Sequence, residues 1–185
     1  MARAHDASGT DALLVIPQLA FLERDGRPGA FGERGRFRAF LAEVLAALAP
    51  RLGGADLTRV RSVSLFAHSA GFETALALVG RGEVPIEHVV LFDALYRGVE
   101  PFGSWALGAA GRRLVSLHGA GGRTERQSEL MSAWARRHGL PVASAPGAGR
   151  VSITLTRVPH ERVPAHHWPA VARALGLAPR SPSPP

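Results

Sequence analysis

Short apolar runs recur along this 185-residue chain, and the stretches between them have the apolar spacing of helices. A strand buried on both faces is apolar at nearly every position, and successive parallel strands need a crossover, which is usually a helix. The chain is also long enough for one domain with a substantial core. The alternation therefore predicts the α/β class, with a mostly parallel sheet of about five strands flanked by helices.

The expected elements follow from apolar period and from breakers. Strands are expected over residues 12–17, 61–68, 87–93, 112–118 and 150–158, and helices over residues 37–48, 72–79, 124–139 and 168–177. Thr124 is the expected N-cap of the third helix. We expect a single domain over residues 1–178 and a disordered tail over residues 179–185, which are rich in Pro and Ser.

Composition excludes several classes of function. There are no cysteines, so disulfides, thiolate metal sites and a cysteine nucleophile are excluded. The net charge of +7 comes from 22 arginines, which are scattered, and only 6% of residues are aromatic, so we expect no nucleic-acid partner. No apolar run is long enough for a membrane span, and residues 1–11 lack the apolar core of a signal peptide, so we expect a cytoplasmic protein.

Residues with catalytic chemistry follow the ends of three expected strands. Ser69 follows the second strand, Asp93 ends the third, and His160 follows the fifth. In open parallel sheets the ligand site lies beyond the carboxyl ends of the strands. The sequence therefore predicts that a serine, a carboxylate and a histidine meet at one edge of the sheet, in the chain order Ser, Asp, His.

The segment "AHSAG" (67–71) resembles the nucleophile elbow of the α/β-hydrolase superfamily, G-x-S-x-G, with Ala67 in place of the first glycine. The elbow is a tight strand-to-helix turn whose flanking positions must be small, and Ala67 and Gly71 meet that demand. The Ser, Asp, His order is also that of the superfamily. The resemblance covers residues 12–177. It implies a three-layer sandwich and a serine hydrolase that cleaves an acyl ester, or a thioester or amide, through an acyl-enzyme without cofactor or metal.

The resemblance also implies roles for single residues. Ser69 would be the nucleophile, His160 the general base and Asp93 the acid that orients the base. His166 and His167 are rivals for the base. Glu125 is the rival for the acid, because it follows the next strand, where the superfamily usually carries this residue.

The remaining site residues are expected around this triad. The oxyanion hole would use the backbone N–H of Ala70 and that of Gln18 or Leu19. The expected substrate pocket consists of Tyr96, Phe102, Trp105 and His118, although ordinary packing explains the three aromatic residues equally well. His68 is expected only to pack. The partner would be a small acyl substrate, and the rival class is a non-catalytic α/β-hydrolase-like binding domain.

Overall fold

The computed structural model describes residues 1–17 and 27–177 of the chain. The helices are α1 (Ala2–Ala7), α2 (Arg36–Leu48), α3 (Phe72–Arg81), α4 (Val99–Leu107), α5 (Arg123–Arg137) and α6 (Val163–Ala174). The strands are β1 (Val63–His68), β2 (Ile86–Phe92), β3 (Arg113–His118), β4 (Val142–Ala143) and β5 (Val151–Leu155). Two single 3-10 turns matter for the site, Ser69–Gly71 before α3 and His160–Arg162 before α6.

The five strands form one all-parallel sheet in the order β1-β2-β3-β5-β4, and helices flank it. This confirms the predicted α/β class. The register pairs His68 with Phe92 and Phe92 with Leu117, so β1, β2 and β3 end side by side. Residues that follow these strands therefore lie at one common edge, although they are far apart in sequence.

Successive residues of β2 belong to two different hydrophobic clusters. Val89 and Leu91 pack in a cluster with residues of α2, α3, α4 and α5, whereas Val90 and Phe92 pack in a cluster with residues of α6. All four side chains are at most 1% exposed. Burying each one contributes about 1.5–3 kcal/mol relative to exposure. Because both faces of this strand are covered, its sequence shows no polar alternation.

The expected strand at residues 12–17 is wrong. This segment is irregular, and Leu13 and Ile16 are 50% and 63% exposed. The N–H of Asp11 donates to the carbonyl of Leu177 at 2.8 Å, and Leu14 packs in the α6 cluster, so the chain is drawn towards the end of α6. Within the described residues β1 is consequently an edge strand, and most of its side chains are only half-buried.

Several helix predictions also need correction. α5 begins at Arg123 with Gly122 as its N-cap, so Thr124 lies in the first turn and is not the cap. α6 begins at Val163, five residues before the expected start, and it contains Pro169. Helix α1 and the two-residue β4 were not expected, because both are too short to show a period. The expected tail at 179–185 lies outside the described residues.

Nowhere in residues 1–17 and 27–177 is there a helix whose length and apolarity would suffice for a membrane crossing.

Candidate functional site

Ser69 occupies a strained turn between β1 and α3. Its φ is 52°, in the left-handed region that residues other than glycine rarely adopt. Asp93, at the end of β2, is the other such residue in the described part of the chain, with a φ of 45°. Each conformation costs on the order of 1–3 kcal/mol, and such strain persists where the surrounding structure imposes it. Both strained residues are among those that the sequence predicts to be catalytic.

The turn at Ser69 brings β1 and α3 close together. A Cβ atom built on Gly71 would lie 3.7 Å from the Cβ of Ala67, which is ordinary van der Waals contact. Ala67 itself is buried. There is therefore room for a methyl group on each side of the turn, and a longer side chain at either position would have to displace the other.

Asp93 and His160 form a hydrogen-bonded pair at this edge. The Nδ1 of His160 lies 2.7 Å from the Oδ2 of Asp93. The other carboxylate oxygen, Oδ1, accepts from the Thr124 hydroxyl at 2.5 Å and from the N–H of Gly119 at 3.2 Å. The Asp93 side chain is 13% exposed and that of His160 is 40% exposed. The acid is thus largely covered and fixed by donors, while the imidazole extends towards solvent.

These donors keep Asp93 ionised. Burial alone would raise the pKa of Asp93, but hydrogen bonds from Thr124, His160 and the Gly119 N–H outweigh it and hold the pKa below its ordinary value of 3.8. The Asp93 carboxylate can only accept a hydrogen bond, so Nδ1 of His160 donates it, and a neutral His160 carries its proton on Nδ1. Its Nε2 then has a free lone pair, which is the state that a general base requires.

His68 contacts the same histidine from the end of β1. Its Nε2 lies 2.9 Å from the backbone carbonyl oxygen of His160. The two imidazole rings lie 4.5 Å apart, measured between centroids, with an interplanar angle of 34°. Burial lowers the pKa of His68 below its ordinary value of 6.5, although its bond to the His160 carbonyl opposes the shift. The sequence predicts only packing for this residue.

Ser69 lies at the same edge, but within the described residues it has no hydrogen bond to the base. It directly follows His68, and the pairing of His68 with Phe92 sets it beside Asp93 on the neighbouring strand. Among the described residues, no hydrogen bond joins the Ser69 hydroxyl to His160. Catalytic hydrogen bonds are often long in a free enzyme and form once substrate is bound, so this arrangement is compatible with a triad.

The rival acid and base residues have other partners. His166 and His167 lie within α6, and the Nε2 of His167 is 2.8 Å from the Thr156 hydroxyl. Glu125 lies in the first turn of α5, where its carboxylate accepts from the N–H of Gly121 at 2.6 Å. Within the part of the chain that the structure describes, it is Asp93 and His160 that contact each other.

Three of the four expected pocket residues are buried, and the fourth, Tyr96, is half-buried. Phe102 is 0% and Trp105 is 7% exposed, and both belong to the core cluster beneath α4. Tyr96 is half-buried and packs on Phe72. His118 is buried and its Nδ1 bonds the Gly119 carbonyl at 3.1 Å. A substrate-contacting role for these residues stays a prediction.

The expected oxyanion donors are only partly described. Ala70 is the second residue of the 3-10 turn, where an N–H has no partner within the turn itself. Gln18 and Leu19 lie outside the described residues. The second donor therefore stays a prediction.

A cavity of about 250 Å³ adjoins His68 on the α6 side of β1. Its lining is mostly apolar and consists of Met1, Phe66, Ala67, His68, Phe92, Glu161, Pro164 and Ala165. None of the expected pocket residues contributes to it. In residues 1–17 and 27–177, no three His, Asp or Glu side chains are grouped so that they could hold a metal ion.

Sequence reasoning missed two side chains of the site, Thr124 and His68. The signal for Thr124 was its place shortly after the expected strand at residues 112–118, the strand that follows Asp93 along the chain. The signal for His68 was its place at a strand end beside the serine. Comparison of the chain with protein-family models, curated proteins and solved structures gave no match.

Proposed function

We propose that this chain is a serine hydrolase with a three-layer, α/β-hydrolase-like fold. The observation that carries the proposal is the 2.7 Å bond between Asp93 and His160 at the sheet edge where Ser69 occupies a strained turn. A largely covered carboxylate bonded to Nδ1 of a more exposed imidazole, near a serine, is the arrangement that serves nucleophilic catalysis on several unrelated folds. The sequence resemblance to the nucleophile elbow supports the same assignment.

The proposed reaction passes through an acyl-enzyme. Ser69 Oγ attacks the acyl carbonyl while His160 Nε2 accepts the hydroxyl proton. Asp93 stays ionised and stabilises the imidazolium that forms. The carbon–oxygen bond to the leaving alcohol then breaks, and the imidazolium returns its proton to that oxygen. A water molecule, deprotonated by the same Nε2, then attacks the acyl carbon. The bond from that carbon to Ser69 Oγ breaks, the imidazolium returns its proton to Oγ, and the carboxylic acid is released.

The proposed oxyanion hole uses backbone donors. The N–H of Ala70 is one candidate, and that of Gln18 or Leu19 is the other. Such a donor typically contributes about 10²–10³-fold to turnover, since it acts on charge that develops only in the transition state. Ester hydrolysis is the favoured reaction because small members of the superfamily that this chain resembles commonly carry it out.

A series of p-nitrophenyl esters with increasing acyl length tests this proposal. Wild-type protein should hydrolyse at least the short esters, and Ser69→Ala should reduce turnover to the uncatalysed background while circular dichroism stays unchanged. Ser104→Ala, at an exposed serine of α4, is the matched control and should keep full activity. A folded wild-type protein without activity on any ester, thioester or amide would contradict the proposal and favour a non-catalytic binding domain.

A further inference from the structure

His68 has two contacts to His160 that its expected packing role does not require. The residue before the candidate nucleophile bonds the backbone of the candidate base, although 92 positions separate them. Its ring also lies against the ring of that base. One side chain thus links the turn after β1 to the turn after β5, two strands that have no direct pairing in the sheet.

The hydrogen bond fixes the protonation of His68. A carbonyl oxygen can only accept, so Nε2 of His68 must carry a proton. The same carbonyl also accepts the N–H of Val163 at the start of α6. The His160 backbone is therefore held from two directions, by the helix that follows it and by the side chain of His68.

We propose that His68 is a positioning residue, which holds the His160 backbone through Nε2–H and the His160 ring through packing, so that Nε2 of the base stays at the edge beside Ser69. This inference rests on the proposed function and extends it to a residue outside the triad. Asp93 fixes one end of the imidazole by its bond at Nδ1. That bond does not hold the backbone that carries the ring, and His68 adds a hydrogen bond to this backbone and a contact to the ring itself.

The charge of His68 fits this role. Its pKa is lowered by burial, so it is neutral near pH 7. His160 gains a positive charge when it accepts the serine proton, and a neutral neighbour does not oppose that charge. A permanently cationic residue at the same position would oppose it.

Three substitutions separate the two contacts. His68→Gln keeps an amide N–H at the reach of Nε2, since glutamine places its nitrogen where histidine places Nε2. His68→Asn has the same amide but is one methylene shorter, which makes it the matched control. His68→Phe keeps a ring against His160 and loses the donor. Circular dichroism and thermal unfolding establish that each variant is folded.

The first readout is ester hydrolysis. We expect kcat to fall only about 3-fold for His68→Gln, which keeps the donor and loses the ring contact. Losses of about 10- to 100-fold are expected for His68→Asn, which loses both contacts, and for His68→Phe, which loses the donor, because small misplacements of a catalytic group carry costs of this size. KM should change little, since His160 acts in the chemical step. Equal kcat values for the Gln and Asn variants would overturn the inference while leaving the hydrolase proposal intact.

The second readout needs no activity. Long-range ¹H–¹⁵N spectra of the imidazoles should show His68 as the Nε2–H tautomer and His160 as the Nδ1–H tautomer in the wild-type protein. In His68→Asn and His68→Phe, the His160 signals should show a mixture of tautomers. An Nδ1–H tautomer of His68 would overturn the inference. If wild-type protein shows the expected tautomers but hydrolyses no ester, the proposed hydrolase function is refuted while the contact between His68 and His160 is supported.

Discussion

The two halves of the candidate site are held in different ways. The acid–base half, which consists of Asp93, Gly119, Thr124 and His160, is joined by three hydrogen bonds to one carboxylate. The nucleophile half, Ser69 and Ala70, is held by backbone conformation, and the Ser69 hydroxyl has no bond to His160 in the described structure.

The positions of the two strands in the sheet account for this difference. β2 has a paired strand on each side and is buried at every position except Glu87, so Asp93 follows one of the most deeply buried parts of the fold. β1 is an edge strand of the described sheet, and most of its side chains are only half-buried. A buried carboxylate needs fixed donors, because an unpaired charge in a low dielectric is costly. A nucleophile needs access to substrate, and an edge position provides it.

Among the substitutions that test this comparison, removal of the Asp93 charge is expected to have the largest effect on kcat. Asp93→Asn should lower kcat about 10³–10⁴-fold, since an amide stabilises neither the required tautomer nor the imidazolium. Steady-state ester hydrolysis measures this decrease in kcat. Glu125→Gln is the control and should change kcat less than about 2-fold, because its carboxylate bonds a helix N-terminus. Similar losses for both variants would leave Asp93 without a special role.

Weakening the support of the acid should have an intermediate effect. Thr124→Val deletes the hydroxyl that donates to Asp93 Oδ1, whereas Thr124→Ser keeps it. We expect kcat to fall about 10-fold for Val and to stay within about 2-fold for Ser, as positioning partners commonly contribute on this scale. An unchanged kcat in Thr124→Val would show that Gly119 and His160 suffice to hold the carboxylate.

The same pair of variants predicts a pH effect on stability. The folded-state pKa of Asp93 is below its ordinary value of 3.8, so its stabilising effect is present above about pH 4 and is lost as the pH falls through the lower folded value. Thr124→Val raises that folded pKa. Urea unfolding gives the free energy of unfolding of wild type and of Thr124→Val. The difference between these two values should therefore shrink as the pH falls below about 4. A difference that is constant with pH would contradict the assigned cause.

The smallest effect is expected in the nucleophile half. Gly71 has a φ of −60°, and its added methyl would only touch Ala67. Gly71→Ala should therefore raise the free energy of unfolding by about 0.4–1 kcal/mol through the unfolded state. Ala67→Leu should lower it by about 1–3 kcal/mol, as it overfills the space between β1 and α3. Chemical denaturation measures the free energy of unfolding of both variants. A destabilised Gly71→Ala would show that the added methyl group comes closer to the Ala67 Cβ than 3.7 Å.

Much of the fold was predictable because it depends on local pattern. The strands near residues 63, 86, 113 and 151 each carry a short run rich in apolar residues, and parallel pairing then aligns their carboxyl ends. That is why Asp93 and His160, 67 positions apart, were expected at the same edge. The segment at residues 12–17 was misassigned, since an apolar run does not reveal whether it meets a sheet edge or, as here, the cluster around α6.

The partners of the supporting residues were not predictable, because a position near a strand end does not show which groups a side chain contacts in three dimensions. Thr124 is 31 positions from Asp93. Its place near a helix start predicts an N-cap, whereas the helix begins at Arg123 and Thr124 lies in its first turn. Because His68 alternates with Ala67 along β1, the two side chains are predicted on opposite faces of the sheet. The pattern does not show that the turn His160–Arg162 lies against the face of His68. Only the path of the chain after β5 brings the His160 carbonyl to it.

Labelling with a fluorophosphonate probe, with the modified residue located by mass spectrometry, tests most directly the claim that Asp93 and His160 activate Ser69. Wild-type protein should be labelled at Ser69, and His160→Ala should slow labelling by about 10²–10⁴-fold. His166→Ala, which alters an exposed histidine of α6, should label at the wild-type rate. Absence of labelling in the folded wild type, labelling at another residue, or equal rates with and without His160 would contradict the account.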